Sequence, residues 1–512
     1  MKRLCSPFSL ADLGFVYGLL CTLSLALINP WGTPRGEIWT DPKVYVVITL
    51  ALLTWAALLV AFVRARAKRR ALPPPPAAWG WAALLWAAFL GFGLLSVYFS
   101  PVQAVDALMP NNEMGDGWVY WAYVAAFVLG NALLLRRFPA LFKAQLYGFL
   151  VAGLLMGLAV LAQTANWRLD FTATMGKEVF TPNPRDLNIT YSNIYEGQMP
   201  IGLTSHRGHA GFVAAALAVC ALVGVARGWV RGRYGWPLYL LLLAGVYLTS
   251  TRGAQVAFGA GLVYLLVRFS RSPRGRRVAL LAFVPLVLGG GALLGAAALG
   301  VPSVTRALPS WSLLFQDPGA FTSFRLDYWR VTLAGIRERP LLGWGFNGFG
   351  LAFPYVNDFS VRFARTALAP VQGETNKVVH IRTLHGTDHY YFRYTGLDGA
   401  RYLGRVVSNK AHNLFLDVWV SLGLGGLVTY LLLLSLFLTV TARGGGWGLE
   451  AVGVVYLVYG LTWFESAQFS HLTWWAFSAG LALQGSPKAA VTAVRAPFSR
   501  FFRNRADRAG AG

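Results

Sequence analysis

The chain has 512 residues, 56% of them hydrophobic and 13% charged, with a mean hydropathy of +0.50. A soluble fold of this size cannot hide so much apolar surface, so the surplus has to face lipid. The net charge of +24 would suggest a nucleic-acid partner in a soluble protein, but every other loop between the apolar runs is basic, which makes the excess topogenic and excludes DNA or RNA.

A helix of about 20 apolar residues crosses a hydrocarbon core of about 30 Å. Runs of this kind are predicted near 8–28, 43–63, 79–99, 118–135, 144–164, 208–226, 236–250, 253–268, 277–300, 412–440, 450–465 and 467–484. The first follows Met1-Lys2-Arg3 without a small-residue cleavage site and a soluble domain behind it, so it reads as a retained helix rather than a secretion signal.

With a cytoplasmic N-terminus, the inside loops hold Arg64, Arg66, Lys68, Arg69 and Arg70, then Arg136, Arg137 and Lys143. Arg227, Arg231 and Arg233 follow, then Arg268, Arg271, Arg274, Arg276 and Arg277. The C-terminal tail adds Lys488, Arg495, Arg500, Arg503, Arg505 and Arg508. Acidic residues fall in the other loops: Glu37, Asp41, Asp106, Glu113, Asp116, Asp170, Glu178, Asp186 and Glu196. The positive-inside rule therefore fits about twelve spans throughout, with both termini cytoplasmic. Cys5, Cys21 and Cys220 lie in or beside spans, so no disulfide framework is available.

The expected fold class is an all-α polytopic membrane protein with a large periplasmic loop carrying surface helices and a small β insertion. Its parts are helices one to nine over 1–300, the large loop over 301–411, helices ten to twelve over 412–484 and a basic cytoplasmic tail over 485–512. The prolines from Pro73 to Pro76 read as a stiff turn between spans. The two outer segments near 165–207 and 301–411 are too long to be mere connectors.

Within the larger one, Phe321 to Arg337 has a helical pattern with Phe324, Tyr328, Val331 and Ile336 on one side, stopping at Pro340. The run Gly343-Trp344-Gly345-Phe346-Asn347-Gly348-Phe349-Gly350 gives a tight backbone that can approach a ligand or another helix. From Lys377 to Val407, β-branched and aromatic residues broken by turn signals predict two or three short strands.

Three polar constellations stand where outer loops meet spans. In Lys410-Ala411-His412-Asn413, the imidazole at the water boundary could accept or steady a hydroxyl proton, with Asp417 deeper on much the same side; the plainer alternative is that His412 and Asn413 cap a helix. The tight turn Thr249-Ser250-Thr251-Arg252-Gly253 fixes an arginine at a helix N-terminus, suited to a phosphate or simply to lipid head groups.

Ser205-His206-Arg207-Gly208-His209 sets two imidazoles around an arginine, as a second anion site or part of an acceptor pocket. Two histidines three apart with no third ligand make a weak zinc signal, and His380, His385 and His389 read as ordinary loop histidines.

These residues resemble the O-antigen ligase and polymerase superfamily, which includes bacterial O-oligosaccharyltransferases. The resemblance rests on His412-Asn413, nine residues, then Gly423-Leu424-Gly425-Gly426; on Arg325-Leu326-Asp327-Tyr328-Trp329; on Pro340-Leu341-Leu342-Gly343-Trp344-Gly345; and on Thr251-Arg252-Gly253.

It implies a metal-independent, cofactor-free membrane glycosyltransferase acting at the outer face of the inner membrane. The donor would be a glycan on undecaprenyl diphosphate, the acceptor a glycan, lipid or protein hydroxyl, and a chain-length co-polymerase is a candidate partner alongside membrane lipids. Arg252 and Arg325 would bind the diphosphate, with Arg207 a looser counterpart, His412 would serve or position the acceptor, and Asn413, His206 and His209 would support it. The family segment around Arg207 often carries Asn or Pro where this chain has His206 and His209.

The lack of a Gly-x-x-x-x-Gly-Lys phosphate loop agrees with energy drawn from the donor itself. The rival reading is a polysaccharide or lipid transporter or flippase, whose ionisable residues usually sit mid-span rather than at the outer ends.

Overall fold

The computed structural model describes residues 10–31, 36–101, 108–109, 114–165, 194–195, 199–299, 322, 325–356, 377–382, 388–395, 401–405, 410–443 and 448–484. Cys5, Asp106, Glu113, Asp170, Glu178, Asp186, Glu196, Phe321, Phe324, His385 and the basic tail from Lys488 onward lie outside the described residues.

Helices α1 (Leu10–Ala26), α2 (Asp41–Ala67), α3 (Trp79–Tyr98), α4 (Trp118–Arg137) and α5 (Leu141–Thr164) form the first half, and a π-helical turn at Gly36–Thr40 leads into α2. Next come the short strand pair β1 (Ile194–Tyr195) and β2 (Met199–Pro200), then α6 (Arg207–Arg227), α7 (Gly232–Leu248), α8 (Arg252–Phe269) and α9 (Pro273–Ala298). Helices α10 (Arg325–Glu338) and α11 (Gly348–Val356) precede β3 (Lys377–Arg382), β4 (Asp388–Thr395) and β5 (Arg401–Arg405), an antiparallel sheet in that order. The chain then forms α12 (Leu414–Arg443), α13 (Glu450–Gly460) and α14 (Ser470–Ala482).

Among the described residues, six helices are long and apolar enough to cross a membrane: α2 with its π-helical turn, α3, α4, α5, α6 and α12. The chain is a multi-pass membrane protein. Helices α1 and α13 are apolar but shorter.

Lipid-facing character is written on α2, where Leu52, Leu59, Val60, Phe62 and Val63 are exposed. The opposite case is α6, whose Ala, Gly and Val positions are buried almost from end to end. Small residues let backbones approach, which drives helix association where lipid removes the usual hydrophobic gain. A Cβ on Gly211 would come within 2.9 Å of the Thr249 hydroxyl, so α7 and α8 close on α6 at that level.

The basic residues cluster at one end of the bundle. Arg136 reaches the carbonyls of Pro74 and Gln484, Arg274 that of Val225, and Arg268 pairs with Glu450 at 2.7 Å. At the other end Lys43, fully buried, donates to the carbonyls of Leu27, Trp39 and Leu203 at 2.8 to 3.0 Å, tying α1, the π-helical turn and the segment before α6 together.

Two of the expected spans need correction. The run expected at 450–465 is helical only to Gly460, and the run expected at 467–484 begins its helix at Ser470. Between them, residues 461–469 are non-helical, and Trp463 through Phe469 are all buried. Irregular backbone packed this deeply must find partners inside the protein. The Ala467 amide donates to the Met114 carbonyl at 2.9 Å, and the Gln468 side chain donates to Ser205 and Thr40 while accepting from the Ser205 amide.

The glycines of the two sequence motifs turn out to be one piece of structure. Helix α12 is broken at Gly423, which has φ +69°, and Gly343 has φ +69° as well. Across this break the amides of Trp344 and Gly345 donate to the carbonyls of Val420 and Ser421, and the Leu424 amide donates to the Pro340 carbonyl, each at 2.9 Å. Ser96 on α3 completes the joint, donating to the Ser421 carbonyl at 2.6 Å and accepting from the Gly345 amide at 2.9 Å. The glycine run after α10 therefore approaches a helix rather than a ligand.

A Cβ on Gly423 would sit 2.0 Å from the Leu341 carbonyl oxygen, and the φ alone disfavours any L side chain. Gly423→Ala is expected to lower stability by about 3 kcal/mol or more, read as a drop in the thermal midpoint of detergent-purified protein. Gly91→Ala, where nothing lies within 4 Å of the added methyl, should melt as the parent does. Equal midpoints for the two variants would show that this joint does not hold the fold.

Candidate active site

Helix α12 starts at Leu414, so His412 lies two residues before the helix rather than inside a span beginning at 412. Asn413 caps it: its Oδ1 accepts from the amides of Phe415 and Leu416 at 3.0 and 3.1 Å, and its amide group donates to the Leu461 carbonyl at 3.0 Å. Capping is thus what Asn413 does in the fold.

His412 is different. Its φ of +53° is uncommon for a residue with a side chain, and such a geometry persists only where its surroundings impose it. Both flanks are fixed. On one side is the Asn413 cap, and on the other Lys410, 1% exposed, with its ammonium on Asp116 and on Asp417 at 3.2 Å. The Ala411 amide adds a 2.9 Å bond to this network, donating to Asp417 Oδ1, the carboxylate oxygen other than the one that faces Lys410. Asp116 is itself held by the Trp121 indole N–H at 2.7 Å. Burial works against the Lys410 ammonium, but the two carboxylates outweigh it and hold the side chain charged well above its ordinary range.

The His412 ring packs on Tyr328 with centroids 4.6 Å apart, and meets Trp463 and Phe464 edge-on at 5.3 and 5.0 Å. Its Nδ1 lies 3.1 Å from the Lys410 carbonyl oxygen. A carbonyl only accepts, so Nδ1 carries the hydrogen and Nε2 keeps its lone pair in the neutral ring. Burial, and after it the Arg325 guanidinium, push the imidazole down to about 4.

Arg325 opens α10. Its Nε donates to the Thr462 carbonyl at 2.9 Å and its Nη1 to that of Thr322 at 3.0 Å, and the guanidinium lies over the Trp463 ring at 5.7 Å. Burial lowers its affinity for the proton first, and the like charges of Arg252 and Arg207 add to this. Arg207 and Arg252 also repel each other, so the three guanidinium groups share one electrostatic neighbourhood.

Arg252 is presented by a strained turn, with Ser250 at φ +50° and Thr251 as the extended residue before α8. A Cβ on the next residue, Gly253, would lie 2.5 Å from the Thr462 hydroxyl, which shows how closely this turn sits on the 461–464 segment. Arg207 follows His206, whose Nδ1 accepts from the Gly208 amide at 2.9 Å and so caps α6. A Cβ on Gly208 would lie 2.6 Å from the Trp463 ring. The rings of His206 and the fully buried His209 are 5.9 Å apart and both contact Trp463.

All three constellations therefore converge on Leu461, Thr462 and Trp463. Sequence reasoning missed this segment because it lay at the tail of an apolar run. The signal was the polar interruption Glu465-Ser466-Ala467-Gln468 between two runs too short to span separately. Among the described residues, the Trp463 indole N–H and the Tyr459 hydroxyl are buried without a protein hydrogen-bond partner. Together with the arginines they supply donors for an anion. Behind them, Glu465 accepts from Tyr430 at 3.0 Å, and Tyr430 bonds Tyr456.

The arrangement can bind a large anion with fixed guanidinium groups, and can accept a proton beside it. Among the described residues, no cluster of three or more His, Cys, Asp or Glu is arranged to hold a metal ion. In the sheet, His380 stands opposite Tyr390 and His389 opposite Ile381 in register.

No curated protein matches the chain. The model of the family described as O-antigen ligase matches residues 237–370, a stretch that contains Arg252 and Arg325 and ends before β3, so that His412 and Arg207 fall outside it. Over residues 237–370, about a quarter of its length, this chain is similar to the O-antigen ligase family.

Proposed function

We propose that the protein transfers a glycan from undecaprenyl diphosphate to an acceptor hydroxyl at the outer face of the inner membrane, in cell-surface polysaccharide assembly. The family match supports a glycan-transferring role. The observation that carries the finer reading is the convergence of the elements bearing Arg207, Arg252, Arg325 and His412 on Leu461, Thr462 and Trp463.

In this reading twelve helices span, the basic end of the bundle faces the cytoplasm, and His412 lies outside. The acceptor oxygen attacks the anomeric carbon of the donor sugar, forming the new glycosidic bond. The bond from that carbon to the diphosphate oxygen breaks, and the electron pair leaves with the diphosphate. Fixed guanidinium groups stabilise that charge as it develops, at no cost in reorganisation. The acceptor proton passes to Nε2 of His412, whose Nδ1–H is kept in place by the Lys410 carbonyl. The β3–β5 sheet follows the end of the family match and leads back to His412, which makes it the proposed acceptor platform.

Purified protein, a lipid-diphosphate glycan and an acceptor test this directly. Arg252→Ala and Arg325→Ala are each expected to reduce transfer by about 10²-fold or more. Cells lacking the gene should accumulate lipid-linked single repeats if the acceptor is a second repeat, and lipid-linked long chains if it is a lipid core. Transfer at the parental rate in both arginine variants would remove the proposal.

A further inference from the structure

The opposite end of the bundle holds a cavity of about 790 Å³, which opens between α5 and α7, below the turn that joins α6 to α7. Helix α6 has 21 residues and separates Arg207 from this turn by about 30 Å, so the cavity is no part of the arginine cluster. Its trough is apolar, lined by Leu150, Val151, Leu154 and Leu241. Its lining is cationic, with the exposed Arg231 and Arg233 and the buried Lys143, and among the described residues it includes no carboxylate.

The turn is rigidly built. Gly228 at φ +72° ends α6, and the Tyr147 hydroxyl on α5 donates to the Trp229 carbonyl at 2.7 Å, closing the cavity against α5. Arg231 and Arg233 are both exposed, and Arg233 lies over the Tyr234 ring at 4.7 Å. Leu154 and Val151 are 41% and 46% exposed, so the trough is continuous with the surface that faces acyl chains.

A slot with an apolar wall along the helices and three cations at its end matches one chemistry, a phosphodiester head group with its chains still attached. We infer that this cavity binds an anionic membrane phospholipid, with the phosphate on Arg231, Arg233 and Lys143 and an acyl chain along Leu150, Leu154 and Leu241. The inference is independent of the transfer chemistry at the other end. A bound lipid there would fasten α5 to α7.

Detergent-purified full-length protein, stripped of lipid, can be titrated with phosphatidylglycerol, phosphatidylcholine and free glycerol phosphate, with adducts read by native mass spectrometry. Phosphatidylglycerol should be retained at least fivefold more tightly than phosphatidylcholine, and Arg231→Gln and Arg233→Gln should each lose roughly fivefold, the size expected for one basic residue at a lipid phosphate. Leu154→Trp, which fills the trough and leaves the cations in place, should weaken phosphatidylglycerol too, and glycerol phosphate should not be retained. Equal retention of the two lipids, parental affinity in both arginine variants, or glycerol phosphate bound as tightly as the lipid would each overturn the inference.

Discussion

His412→Ala is expected to slow glycan transfer by about 10²–10⁴-fold, the range for removing a group that handles the acceptor proton, while leaving binding of the lipid-diphosphate donor unchanged. The pH profile distinguishes this from loss of packing against Tyr328 and Trp463. Nε2 acts only in the neutral ring, so activity is lost as pH falls through the imidazole's value in the folded protein.

Burial and Arg325 push that value down to about 4, so kcat/KM, which reports the free enzyme, should stay level through the weakly acidic range and fall only near pH 4. Bound diphosphate adds negative charge near the ring, so the acid limb of kcat should lie higher than that of kcat/KM. Arg325→Gln removes a like charge and should move the kcat/KM limb upward. An acid limb of kcat/KM at the ordinary histidine value near 6.5, unaffected by Arg325→Gln, would refute this account of His412.

Much of the frame was legible in the sequence, for a physical reason. Lipid imposes a length scale on spanning helices; a helix lies on each of the twelve expected segments, and six helices among the described residues are long and apolar enough to cross a membrane. Arg207, Arg252 and His412 were legible as polar groups at the ends of such runs, and Arg325 only through the family resemblance.

Their convergence was not legible, because it depends on 461–469, where the chain leaves helical geometry across the boundary between the expected spans at 450–465 and 467–484. Nor was the role of the glycines. Gly343 and Gly423 are 80 positions apart, and only the bonds from Trp344 and Gly345 to the break in helix α12 reveal why both need positive φ. Lys410 was visible as part of a motif, but its partner Asp116 counted only as one more acid in an outer loop. Pairing across 294 positions leaves no local pattern to read.

That pairing carries the other large expected effect. Lys410→Met leaves Asp116 and Asp417 buried with no cation between them, and removing one partner of a buried ion pair typically costs about 3–5 kcal/mol. The variant should therefore show a marked fall in thermal midpoint, whereas Lys410→Met combined with Asp116→Asn and Asp417→Asn, which removes all three charges, should recover most of it.

Activity separates two roles that stability alone would merge. The network clamps the residue before His412, and the Ala411 amide bonds Asp417 directly, so the +53° φ of His412 depends on it. If the charges serve to position the imidazole, the triple variant will be folded yet slow, with the loss in kcat and donor binding intact. A triple variant that is both folded and fully active would mean that the ions support the fold alone and that Asn413, anchored on Leu461, suffices to aim the ring.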